Sequence, residues 1–198
     1  MARPETVSAT ELARRLGRVF LREGYEGASL ARLSDAAGLA KAALYHRFPG
    51  GKEEIARSVL ETTARAMEGS VLHALSGPGA PAQRLAAMVV ALRIFYEEGA
   101  RPCLADLFSV GGVPESVRDP LAAGLDAWIA AISDVLGEAG FEPGEAAARA
   151  EDAVVRVQGA LVVSRARGDT GAFRRVTERL VADLLDTGTH FRKAEPTD

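Results

Sequence analysis

Apolar residues recur at intervals of three and four along most of the chain, which is the period of an α-helix. Glycine and proline cluster between these periodic segments, at 76–81, 99–103, 111–120, 137–144 and 168–171. The remaining segments are long enough for about nine helices, and none favours a β-strand of more than a few residues. The pattern therefore predicts an all-α protein.

The first predicted helix opens on a capping box, Ser8-x-x-Glu11, in which each side chain can bind a backbone amide of the other residue. An apolar stripe follows, and Gly24 is expected to end the helix. The stripe comprises Leu12, Leu16, Val19 and Phe20. Because such a stripe packs against neighbouring helices, we expect this helix to contribute to a small core.

Two shorter helices are predicted over residues 29–48, with a turn between them. Ser29 can cap the first, and Gly38 suits the left-handed backbone conformation that ends it. The second begins at Lys41 and ends at about Phe48, before a Pro-Gly-Gly sequence. A helix, a glycine-containing turn and a short helix at this spacing are typical of a helix-turn-helix.

The second of these helices has two chemically different faces. Leu44 and Phe48, four positions apart, match the apolar stripes of the preceding helices and are expected to complete a three-helix core. The opposite side carries Lys41, Ala42, Tyr45, His46 and Arg47. Two turns of helix span roughly 12 Å, which suits the width of about 12 Å of the major groove of DNA. We expect this side to contact DNA; the alternatives are a core position for Tyr45 and an idle surface position for His46.

Charge is distributed unevenly along the chain, whose formal net charge is −3. Residues 1–60 contain ten Lys and Arg against seven Asp and Glu, whereas the remainder contains fourteen against twenty. A basic head on an acidic body fits phosphate binding at one end only, although random scatter could also produce this difference.

The sequence SLARLSDAAGLAKAALYHRFPGGKEEI, residues 29–55, resembles the DNA-binding signature of the TetR family of bacterial regulators. The resemblance extends over about residues 8–65, and beyond them it covers only a general all-helical plan. It implies a set of DNA contacts. Ser29, Tyr45 and Lys52 would bind phosphates, and Lys41 would enter the major groove. Ala42, Ala43 and His46 would lie against the bases. Arg32 and Arg47 would be further contacts.

The chain departs from the family pattern at two places. The family often has Ser or Thr where this chain has Ala40, so the recognition helix lacks a side-chain cap, at a cost of roughly 1 kcal/mol. Many members also have one residue fewer between the aromatic residue and the lysine that correspond to Phe48 and Lys52. The extra residue changes the direction in which the Lys52 side chain is expected to point.

The rest of the chain predicts a larger helical domain over 52–198, after a DNA-binding domain at 1–51. A long helix from Lys52 to Leu75 would join them. The segment 153–163 is close to continuously apolar, which suggests burial against a second subunit as well as within a core. By resemblance, the last two helices, 145–167 and 170–186, pair with their copies as a four-helix bundle.

The segments 101–104 and 159–170 are similar to the drug-responsive LmrA/YxaF branch of the family. The resemblance implies a repressor that a small apolar or aromatic molecule releases from a palindromic operator, as a homodimer. The expected lining of the ligand site is apolar with a polar anchor. We expect it to comprise Met67, Phe95, Phe108 and Trp128, with Arg156 or Gln158 as the anchor; the alternative is that these residues simply pack in a core.

Little in the sequence supports catalysis or a cofactor. The three histidines are scattered, with no Glu-x-x-His pair, and Cys103 is the single cysteine. We therefore expect no enzyme activity, no metal and no cofactor. The alternatives left open are a helical-bundle enzyme and an architectural DNA-binding or protein-interaction module without a ligand. The longest apolar run, 85–92, is too short to cross a bilayer, and residues 1–15 have no apolar signal, so we expect a cytoplasmic protein without a membrane.

Overall fold

The computed structural model describes residues 7–108 and 112–187. Its α-helices are α1 (Ala9–Gly27), α2 (Leu30–Ala37), α3 (Lys41–Arg47), α4 (Gly51–Met67), α5 (His73–Leu75), α6 (Pro81–Phe95), α7 (Leu104–Phe108), α8 (Glu115–Glu138), α9 (Pro143–Arg167) and α10 (Gly171–Leu185). A π-helical turn, Glu68–Leu72, joins α4 to α5 in one continuous segment, and a 3₁₀ turn, Glu97–Gly99, follows α6. With that segment counted once there are nine helices, and the described residues contain no strand, which confirms the all-α prediction.

The helix ends follow the local signals in the sequence. The Oγ atom of Ser8 accepts a hydrogen bond from the Glu11 amide at 3.2 Å, and that of Ser29 accepts one from the Arg32 amide at 3.3 Å. Gly38 ends α2 in the left-handed conformation, with φ of 67°. Gly24, with φ of 70°, kinks α1 instead of ending it, so that α1 continues to Gly27.

The chain divides into two compact units. The first comprises Met1–Gly69 with Arg101–Leu125, and the second comprises Ser70–Ala100 with Asp126–Asp198. The domain boundary expected after residue 51 stays a prediction, and the two units do not coincide with it. They differ because α4 and α7 both pack against α1 within the first unit.

The core of the first unit is built on α1 and closed by an aromatic cluster. Leu16 and Phe20 are fully buried, together with Ile55 of α4. The ring of Phe108, from α7, meets those of Phe20 and Tyr25 edge-on, at centroid distances of 5.3 and 5.9 Å. A segment that lies more than fifty residues beyond α3 in the sequence thus completes the core around the helix-turn-helix.

The second unit has a core of its own, formed by one face from each of its long helices. The buried side chains are Leu85, Met88 and Leu92 of α6, Trp128, Ile132 and Leu136 of α8, Val157 and Leu161 of α9, and Phe173, Leu180 and Leu184 of α10. Arg149 fastens α9 to the end of α10: its guanidinium pairs with Glu145 and donates to the carbonyl oxygens of Asp183 and Leu184. A cation at a helix C-terminus is favourable because the last carbonyl groups there lack partners within the helix.

One helix in the described ranges, α8, meets the length and composition criteria for a membrane span, with a mean hydropathy of 1.2 over 18 residues. The expectation based on uninterrupted apolar runs missed this helix, because charged residues interrupt its apolar sequence. Length and composition are weak evidence by themselves, since core helices of soluble proteins pass the same test. Trp128, Ile132 and Leu136 of α8 lie in the core of the second unit.

Candidate nucleic-acid interface

Hydrogen bonds within the turn between α2 and α3 fix the orientation of α3. The Ser34 hydroxyl donates to the Leu39 carbonyl oxygen at 2.5 Å, and the Gly38 amide donates to the Asp35 carbonyl oxygen at 3.1 Å. Leu44 and Phe48 are buried in the core of the first unit, as the sequence predicts. With these two anchors inward, the opposite face of α3 is directed to solvent.

The exposed face of α3 carries all the residues that the sequence assigns to it. These are Lys41, Ala42, Ala43, Tyr45, His46 and Arg47. The Tyr45 side chain is 41% exposed, which excludes the core alternative, and its ring lies beside Gly51. Ala40 makes no capping hydrogen bond at the start of α3, as expected from its side chain. The face combines cations, an aromatic hydroxyl and two small residues that allow a close approach.

The N-terminus of α2 forms a second exposed polar area. It holds Ser29 and Arg32, whose Nη1 atom donates to Oε1 of Glu23 at 2.7 Å. The same Oε1 atom accepts from Nη2 of Arg22 at 2.8 Å. Hydrogen bonds from Arg22 and then Arg32 lower the pKa of the Glu23 carboxyl, so these three side chains form an ionised cluster.

Lys52 lies in a different environment from the one that the family resemblance implies. Its ammonium stands over the Tyr25 ring at 4.4 Å from the centroid and donates to the Tyr25 carbonyl oxygen at 3.1 Å. A carboxylate oxygen of Glu26 is 3.8 Å away. The ammonium has further N–H donors, so a phosphate contact by Lys52 would be made from beside the Tyr25 ring.

Burial raises the pKa of the Tyr25 hydroxyl, with smaller contributions from the carboxylates of Glu53 and Glu26. The phenol therefore stays neutral at ordinary pH, and its ring offers Lys52 a face of negative potential. Sequence reasoning missed this contact because it joins residues 27 positions apart.

The six residues expected to line a ligand site are divided between the two units. Met67 and Phe108 belong to the first, where Phe108 is fully enclosed by the aromatic cluster with Phe20 and Tyr25. Phe108 thus packs in the core of the first unit, and a contact between its ring and a ligand stays a prediction. The other four, Phe95, Trp128, Arg156 and Gln158, belong to the second unit.

Within the second unit, Gln158 and Phe95 both approach Tyr96, which sequence reasoning did not select. Nε2 of Gln158 is 3.5 Å from the Tyr96 hydroxyl, and the Phe95 and Tyr96 rings meet edge-on at 4.9 Å. Trp128 is 1% exposed, and its indole N–H has no hydrogen-bond partner among the residues that the structure describes. The guanidinium of Arg156 forms a salt bridge with the Asp183 carboxylate.

A groove of about 460 Å³ runs between α9 and α10. It is lined by Arg156, Gly159, Ala160, Val163, Ala172, Arg175, Val176 and Arg179. Val155, Val162 and Val163 of α9 are exposed, whereas Val157 and Leu161 are buried within the subunit. The nearly continuous apolar run in the sequence thus divides into a core face and an exposed apolar face.

A helix-turn-helix with an exposed recognition helix, joined to a second helical unit, is the architecture of a DNA-binding regulator. Residues 17–59 match the family model for bacterial regulatory proteins of the tetR family. Residues 81–179 match the model for the LmrA/YxaF-like C-terminal domain of transcriptional regulators. The chain belongs to the TetR family of transcriptional regulators.

Solved structures agree with this assignment. A TetR transcriptional regulator from Legionella pneumophila is 19% identical and superposes with a TM-score of 0.77 over 91% of this chain and 97% of that one. The reduced form of NemR from E. coli is 21% identical, with a TM-score of 0.72 over 87% and 94% of the two chains. No curated protein sequence matches the chain.

A third structure contains DNA. It is a cysteine mutant of the TetR family regulator CifR complexed with a 26 bp double-strand operator DNA, 25% identical, with a TM-score of 0.69 over 91% of this chain and 98% of that one. The protein described here is a DNA-binding transcriptional regulator and not an enzyme.

Proposed function

We propose that this regulator is a homodimeric repressor that binds a palindromic operator and leaves it when a small apolar or aromatic molecule binds. The observation that carries the proposal is the exposed face of α3, held outward by the buried side chains of Leu44 and Phe48. The operator complex of CifR, a protein of the same fold, supports the DNA-binding part. We place the protein in the cytoplasm.

The proposed DNA contacts come from two helices. Ser29 and Arg32, at the N-terminus of α2, would bind phosphate together with the free backbone amides of that helix end. Tyr45 would bind a second phosphate. Lys41, Ala42, Ala43 and His46 would face the bases, with Arg47 beside them. Lys52 would bind a phosphate through an N–H that Tyr25 does not use.

We propose that two subunits associate through the exposed apolar face of α9 and the groove beside it. Val162 and Val163 are large apolar side chains on the surface, and Ala172 and Val176 of α10 continue the apolar lining. Burying such a surface against a second copy is favourable because it removes apolar area from water. A two-fold axis there would give the dimer two recognition helices, one for each half of a palindrome.

The effector is proposed to bind in the second unit near Trp128, Phe95 and Gln158. The buried indole N–H of Trp128 is a donor without a partner in the described part of the chain, and an acceptor atom on a ligand would satisfy it. Tyr96, next to Gln158, adds a hydroxyl group. The proposed ligand is thus apolar or aromatic, with a hydrogen-bond acceptor.

Coupling between ligand and DNA is proposed to run through α4 and α8. Helix α8 contributes Val117 to the core of the first unit and Trp128 to that of the second, and α4 begins next to the recognition helix. A ligand can shift the equilibrium only by its difference in affinity for the two conformations, typically about 1–3 kcal/mol.

Titration of Trp128 fluorescence tests the sensor part of the proposal, because Trp128 is the only tryptophan in the chain. Aromatic drugs and plant phenolics are added to the dimer, and operator release is followed in parallel by anisotropy of labelled DNA. At least one compound is expected to quench Trp128 and to release the operator over the same concentration range. Gln158→Ala should shift both curves to higher concentration. If no compound changes either signal, the protein is a regulator without an effector of this class.

A further inference from the structure

Glu23 binds two arginines at the edge of the proposed DNA interface, although it is not itself one of the proposed DNA contacts. Its side chain is 10% exposed, whereas that of Arg32 is 60% exposed. Both Arg22 and Arg32 donate to Oε1, while Oε2 is buried and has no hydrogen-bond partner among the described residues. A carboxylate beside a phosphate site would ordinarily weaken DNA binding, so its position there requires an explanation.

The hydrogen bonds of Arg32 explain the position of Glu23. Arg32 uses a single terminal nitrogen, Nη1, for Glu23, and within the described ranges its Nε and Nη2 atoms bind no other residue. Its own backbone amide donates to the Ser29 hydroxyl at 3.3 Å, so its backbone is fixed at the start of α2. One edge of the guanidinium is thus held while further donors stay available for a phosphate, which a guanidinium binds with two nitrogens.

Glu23 also joins two helices. It lies in α1, nine positions before Arg32 in α2, and its salt bridge to Arg32 links the C-terminal part of α1 to the N-terminus of α2. Fixing a long arginine side chain before DNA arrives removes part of the entropy that would otherwise be lost on binding.

We propose that Glu23 is a positioning residue for operator binding, which holds the Arg32 guanidinium at the N-terminus of α2 for contact with a phosphate. The proposal rests on the proposed phosphate contact of Arg32. It predicts an effect opposite in sign to simple electrostatics: removing a negative charge near DNA should tighten binding, whereas losing the position of Arg32 should weaken it.

The test measures operator affinity of the full-length dimer across a range of salt concentrations for Glu23→Gln, Arg32→Ala and the double variant. Glu23→Gln should weaken binding about five- to tenfold, the scale of one ordinary hydrogen bond. It should also reduce the slope of log K against log salt by about one, as expected for one lost phosphate contact. In the Arg32→Ala background, the same change should have no further weakening effect.

Glu11→Gln is the matched control, because Glu11 also binds two arginines, Arg14 at 2.6 Å and Arg15 at 2.7 Å, but within α1 alone. Their hydrogen bonds lower the pKa of Glu11 to about 2, so this substitution likewise removes a full negative charge. Glu11→Gln should leave affinity unchanged or slightly tighter.

The outcomes separate the two claims. If Arg32→Ala binds like the natural protein, the proposed contact of Arg32 fails. If Arg32→Ala weakens binding but Glu23→Gln behaves like Glu11→Gln, or adds independently to Arg32→Ala, the contact stands and the positioning role is wrong. Thermal unfolding checks the fold of each variant. If Glu23→Gln does not fold, Glu23→Asp, which keeps the charge but withdraws it by one methylene, should still weaken binding; unchanged affinity would refute the positioning role.

Discussion

Val163→Glu is expected to yield a monomer that no longer retains the operator. Val163 is 43% exposed and lines the groove between α9 and α10, so the substitution is tolerated in an isolated subunit. In the proposed dimer the same position is covered by the second copy, where a charged carboxylate would have to leave water. We expect light scattering to give a mass near the 20.8 kDa of one chain instead of twice that value.

Operator affinity should fall by at least about 100-fold in this variant, because a single recognition helix makes half of the phosphate and base contacts. The matched control is Val90→Glu on α6, a valine of the second unit that is also exposed (58%) but lies outside the groove. It should remain dimeric and bind the operator normally. A dimeric Val163→Glu protein would show that the subunits associate through another surface.

Phe108→Ala is expected to lower the free energy of unfolding by about 3–5 kcal/mol, the usual cost of truncating a buried phenylalanine. The ring is fully buried between Phe20 and Tyr25, and truncation would leave a cavity beneath the C-terminal end of α1. Urea unfolding followed by circular dichroism measures the effect. The helix-turn-helix rests on this core, so operator binding should weaken at temperatures where the natural protein still binds.

Two further substitutions test whether the loss of stability comes from removing the buried ring of Phe108. Phe108→Leu keeps most of the volume and should cost clearly less than the alanine variant. Phe95→Ala removes a ring that is only half-buried and lies in the second unit, and it too should be milder. A change below about 1 kcal/mol in Phe108→Ala would mean that the aromatic cluster contributes little to the first unit.

The sequence predicted features that depend on a few neighbouring residues. Ser8 and Ser29 cap their helices through their own hydroxyl groups, and Gly38 ends α2 because its left-handed conformation is cheap only for glycine. The outward face of α3 followed from the four-residue spacing of Leu44 and Phe48. Each of these signals acts within one or two helical turns.

Features that join distant segments were not predictable in this way. No local pattern shows that Phe108 packs on α1, or that Lys52 stands over Tyr25, because both contacts depend on how separate helices meet. The apolar run 153–163 predicts burial on more than one side, but only the structure separates buried Val157 from exposed Val163. Glu23 gave no signal either, since its partner Arg32 lies in the next helix.

Selection from random duplexes tests whether a two-fold dimer binds DNA through α3. The purified protein is mixed with duplexes of random sequence, and those that it retains are sequenced. We expect an enriched palindrome whose half-sites are centred about one helical turn, roughly 34 Å, or a multiple of it apart. Tyr45→Ala leaves the buried residues of α3 unchanged. This variant should enrich the motif only weakly. Retained duplexes without a common motif, or with one that lacks two-fold symmetry, would contradict the account.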